Sequence, residues 1–106
     1  LIQVKYDRFY CRLTVKGHAE FAPHGEDLVC SAVTILVHTL EANVEDMELK
    51  GFAVSECCVE NGYAKIRCKP YQGYEDMAAT KFSAVCVGFE LLAEEFPEYI
   101  SYKITG

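Results

Sequence analysis

His18 and Cys30 stand in one short segment, GHAEFAPHGEDLVCSAV, residues 17–33. An imidazole and a thiol are the pair that acyl transfer uses. The ring takes the thiol proton, the thiolate attacks a carbonyl, and the imidazolium then protonates the leaving amine. A free thiol ionises only near pH ~8.5, so a cysteine nucleophile needs help from its surroundings. Asp27 is the best N-cap candidate for the apolar run that starts at Leu28, because its carboxylate can accept a free N–H of the first turn. Cys30 would then lie in that first turn, where unpaired amides and the positive helix end favour a thiolate and would stabilise an oxyanion. Ser31 is the alternative cap and would leave Cys30 outside the helix. Asp27 could instead orient His18, and the two tasks compete for one carboxylate.

Plainer origins exist for the same residues. A first-turn cysteine is also what packing produces, and a histidine after a strand is also a polar loop residue. His24 reads as a solvent-facing loop residue and His38 as a mid-helix residue near the surface boundary. His18, His24, Asp27 and Cys30 together offer nitrogen, oxygen and sulfur donors, but their spacing matches no usual metal site. Neither a metal nor a cofactor is expected.

The elements that must position this pair follow from periodicity. Residues 2–7 and 9–16 alternate apolar and polar, which reads as a hairpin with one buried face. The loop 17–26 follows. Residues 28–44 switch to helical period, with Leu28, Ala32, Ile35, Leu36 and Leu40 as the expected inward stripe. A third strand starts near Gly51, and Asn61-Gly62 is a strong two-residue hairpin signal. With those two in the turn, Val59 faces Ala64 and Cys57 faces Ile66. A second helix carries Ala78, Phe82, Val85, Cys86, Phe89, Leu92 and Phe96 at intervals of three and four and is stopped by Pro97. Ile100, Tyr102 and Ile104 alternate as a last strand. The expected fold is α+β, in two layers and in the order β-β-α-β-β-α-β. Two amphipathic helices cover one face of a mostly antiparallel sheet.

Composition bounds the rest. The 106 residues suit a single domain, 1–106. Hydrophobic content of 51% with 25% charged residues describes a soluble globular chain. By sequence no stretch approaches the roughly eighteen apolar residues that span a bilayer, so no membrane partner is expected. Ten basic against sixteen acidic residues give a net charge of −6. That disfavours direct nucleic-acid binding and suits a basic protein partner. Six cysteines without a CxxC read mostly as core filler in a reducing, cytoplasmic compartment. An open second sheet face with Tyr10 and Cys58 is a candidate homodimer contact.

Gly17-His18-Ala19, then Gly25-Glu26-Asp27-Leu28-Val29-Cys30, resembles the signature of the ribosomal-processing cysteine protease family, Prp (YsxB-like). The similarity extends to length, element order and the second helix. It implies a cytoplasmic, homodimeric endopeptidase that trims the N-terminal extension of bacterial ribosomal protein L27. Carried onto matching positions, Cys30 is the nucleophile, His18 the general acid/base and Asp27 an orienting or capping residue. Gly17 and Gly25 shape the backbone, and residues 20–26 would form a mobile loop. Thr34 stands where the family commonly has Ser, one helical turn beyond Cys30. Phe21, Phe52 and Tyr74 are candidate groove aromatics. The alternative is a non-enzymatic ribosome-assembly binding protein on the same small fold.

Overall fold

A computed structural model describes residues 1–18 and 23–106, with 23–27 described by backbone alone. The elements are β1 (Ile2–Asp7), β2 (Arg12–Lys16), α1 (Pro23–Leu49), β3 (Ala53–Glu60), β4 (Tyr63–Pro70), α2 (Glu75–Glu95) and β5 (Ile100–Thr105). The order is β-β-α-β-β-α-β, as the periodicity requires. One sheet runs β3-β4-β2-β1-β5, antiparallel throughout except for the parallel β1–β5 pair. Both helices pack on the same face, so the fold is a two-layer α+β sandwich.

Alternation decides which side chains enter the core. Ile2, Val4 and Tyr6 of β1, Leu13 and Val15 of β2, and Ala64, Ile66 and Cys68 of β4 all point inward. The α2 stripe Ala78, Phe82, Cys86 and Phe89 meets them. Tyr6 and Phe82 stack with ring centroids 5.4 Å apart. Burying one such ring contributes about 1.5–3 kcal/mol.

Four expectations need correction. The first hairpin does not continue its ladder through Phe9. The Asp7 carboxylate accepts the N–H groups of Phe9 and Tyr10 at 3.0 and 3.3 Å. That draws residues 8–11 into a turn and leaves Phe9 79% exposed. In α1 the buried stripe is Val29, Val33, Val37, Leu40, Val44 and Met47, while Leu28 and Ile35 face outward. Both stripes have helical period; the β-branched one lies against the sheet. Because α1 carries two apolar stripes, Leu28–Leu49 does reach the length and mean hydropathy, 1.3, of a bilayer-crossing helix. Its core stripe is spent on the sheet instead. Finally, α1 begins at Pro23, not after an Asp27 cap. Proline presets the backbone for a first helical position, so the helix starts where Pro23 allows it.

Candidate active site

The β2 strand pairs with β4, Lys16 opposite Tyr63. This brings the end of β2 beside the Asn61-Gly62 turn that joins β3 to β4. Gly17 follows with φ +100, and its N–H donates to the Gly62 carbonyl at 2.9 Å. A Cβ on Gly17 would overlap the Leu1 carbonyl oxygen, so glycine is needed there for close approach as well as for φ. His18 comes next, exposed, its carbonyl accepting from the Leu1 nitrogen at 2.9 Å.

Cys30 reaches the same place from α1. It lies about two turns past Pro23. Its side chain is half-buried and packs on the edge of the core. Thr34 and His38 follow at intervals of four, on nearly one edge of the helix. These residues and the β3–β4 turn enclose a cleft of about 320 Å³, with His18 and Cys30 both on its walls. Ile2, Val15, Val33, Val37, Val59 and Ala64 give it an apolar lining. No hydrogen bond joins the described His18 ring to the Cys30 sulfur.

The position of Cys30 changes its expected electrostatics. Free amides and the dipole effect belong to the first turn. Two turns in, the amides near Cys30 are bound into the helix ladder. The helix mouth therefore lies about two turns from Cys30 and offers no oxyanion hole beside it. Two residues with polar side chains, Thr34 and Asn61, line the cleft instead.

The other expected site residues divide. Gly25 and residues 23–26 belong to α1 rather than to a loop; residues 19–22, including Phe21, lie outside the described residues. So do the side chains of His24 and Asp27, although the Asp27 backbone is helical. Phe52 and Tyr74 stack on each other at 4.2 Å and do not line the cleft. Sequence reading missed the turn residues Glu60, Asn61, Gly62 and Tyr63 as cleft walls, because strand order is not written locally. It also missed His38, whose ring nitrogen Nδ1 meets Glu41 Oε1 at 3.0 Å. The i+4 and i+8 spacing from Cys30 was the available signal.

The remaining cysteines other than Cys68 are shifted toward the thiol form. Burial, then the nearby Glu41 and Glu45, pushes Cys57 up to about 11. Burial pushes Cys86 to about 11 as well. Cys11 is raised by donating its S–H to Cys68, with burial second. The Cys68 thiol is correspondingly lowered but is fully buried.

A thiol and an imidazole on one open, apolar cleft of a small α+β sandwich are the groups that a cysteine protease requires. The sequence matches the family described as Cysteine protease Prp over residues 1–101, and the chain belongs to that family. No curated protein matches it by sequence. Among solved structures it is similar to SMU.848 from Streptococcus mutans, at 25% identity and TM-score 0.73, covering 99% of this chain and 97% of that one. It shares its fold with the essential ribosomal processing protease Prp from S. aureus in complex with a covalently linked product peptide. That likeness has 19% identity and TM-score 0.74, covering 99% of this chain and 100% of the other. The same protease with a substrate peptide gives 18% identity and TM-score 0.72 at the same coverage.

Proposed function

We propose that this protease removes the N-terminal extension of bacterial ribosomal protein L27, with Cys30 as nucleophile and His18 as general acid/base. The observation that carries this reading is that the GHA histidine and the GEDLVC cysteine line one cleft. His18 takes the Cys30 proton, and sulfur forms a bond to the scissile carbonyl carbon. The C–N bond breaks as the imidazolium protonates the leaving amine. Water, deprotonated by His18, then cleaves the thioester and restores the thiol. Thr34 and Asn61 are the proposed donors to the oxyanion.

Two features support the substrate class. The net charge of −6 favours approach by a basic ribosomal protein. The apolar cleft lining suits the hydrophobic, Phe-containing recognition sequence that the family resemblance implies. We also place the protein in the cytoplasm, where its six free thiols stay reduced. It is proposed to act as a homodimer, with Leu28, Ile35, Val87 and Leu91 as exposed helix-face residues available to a second copy. The sheet face around Tyr10, with Arg12 and Arg67 over that ring at 5.1 and 5.3 Å, is the other candidate contact.

The test is incubation with a peptide spanning the extension boundary of ribosomal protein L27. Wild type should cut it, and Cys30→Ala and His18→Ala should not. Binding of the uncut precursor with no product over long incubation would overturn the substrate assignment.

A further inference from the structure

The Asn61-Gly62 turn does more than close a hairpin. Glu60 pairs with Tyr63, leaving Asn61 and Gly62 as the turn. Gly62 has φ +78, which the third position of a type II turn requires. Backbone conformation alone would explain a glycine here. The neighbourhood adds a second reason. A Cβ on Gly62 would come within 2.5 Å of His18 Nε2 and 3.2 Å of both carbons flanking it. The imidazole occupies the space a side chain would take. The Gly62 carbonyl also holds the Gly17 N–H, one residue before His18. Two of the other positive-φ glycines show that this crowding is not a general consequence of such turns. Gly51, at φ +77, and Gly73, at φ +98, have nothing within 4 Å of an added Cβ.

We propose that Gly62 is the positioning residue for the His18 imidazole: its bare Cα is the platform against which the ring is set for proton exchange with Cys30. This rests on the reading of His18 as the general base. The atom a Cβ would meet is the far end of a rotatable side chain, not backbone. A substituted protein therefore relieves the collision by moving the ring, and the sheet stays intact. Displacing a catalytic group by about an ångström costs on the order of 10²-fold in rate. Substrate binding elsewhere in the cleft is untouched, so the loss falls on kcat rather than KM.

Gly51→Ala imposes a similar backbone strain in open space and is the control. Gly62→Asn separates the two effects further, since Asn tolerates positive φ yet still carries a Cβ. We expect Gly62→Ala and Gly62→Asn to lower kcat by on the order of 10²-fold with KM nearly unchanged, while Gly51→Ala stays within about threefold. The rate of Cys30 alkylation near neutral pH supplies a cycle. Gly62→Ala should slow it in the wild-type background and change nothing further when His18→Ala is already present. Folding is checked by thermal melting. If Gly62→Ala does not fold, the Asn variant decides alone.

Wild-type-like kcat in either folded Gly62 variant, with His18→Ala inactive, overturns the platform and leaves the protease reading standing. An additive effect of Gly62→Ala on top of His18→Ala also overturns it. An active His18→Ala variant instead defeats the underlying site assignment.

Discussion

The cleft has two walls of different origin. The β3–β4 hairpin wall is set by local backbone chemistry: Asn61-Gly62 fixes the turn, and the turn fixes the register Cys57 to Ile66 and Val59 to Ala64. The α1 wall is set by burial. Val29, Val33 and Val37 press onto the sheet, which turns Cys30, Thr34 and His38 toward the cleft edge. A wall made by a turn is specified by two residues. A wall made by packing is specified by a whole stripe, and small changes in it are shared among many contacts.

That contrast can be broken at several points. On the α1 wall, Cys30→Ala should abolish peptide cleavage, by on the order of 10⁴-fold or more, without loss of fold. Circular dichroism alongside the rate measurement separates the two. At Thr34 the hydroxyl is the feature expected to matter. Thr34→Val should lower kcat by roughly 10- to 100-fold, while Thr34→Ser stays near wild type. Equal rates for the two would remove Thr34 from the oxyanion role.

Stability should divide along the same line. Val33→Ala removes buried methyls from the α1 stripe and should cost about 2 kcal/mol in denaturant unfolding. Val59→Ala, on the partly exposed hairpin wall, should stay within about 0.5 kcal/mol. Similar costs at both positions would contradict the division.

The core behind the walls responds to pH. Cys57 of β3 faces Glu41 and Glu45 of α1, and with Cys86 it is raised to about 11. Both thiols keep their protons in the folded chain at pH values where the unfolded chain has lost them. Their contribution to stability is therefore fully present below pH 9.0 and lost as pH rises through about 11. Thermal midpoints should fall modestly across that window. A Cys57→Ser, Cys86→Ser double variant should show a shallower fall.

Sequence made the hairpin legible because its information is local. Alternation plus Asn-Gly gave turn, register and facing pairs together. The start of α1 was less legible: the apolar period argued for Asp27 over Ser31, and Pro23, an equally sound first position, carried no apolar signal. Moving the start by about one turn moved Cys30 out of the first turn of the helix. The inward stripe of α1 was misread for a related reason: two apolar stripes share one period, and only the sheet chooses between them. The pairing of β2 with β4, which carries His18 to Gly62, spans distant parts of the chain and left no local trace.

The nucleophile itself can be seen directly. The protein is mixed with the boundary peptide of ribosomal protein L27, quenched in acid within the first turnovers, and its intact mass and digest are measured. A thioester adduct of the N-terminal product on Cys30, absent from Cys30→Ala and greatly slowed in His18→Ala, is the predicted result. Cleaved peptide from Cys30→Ala, or an acyl group on any other cysteine, would contradict it.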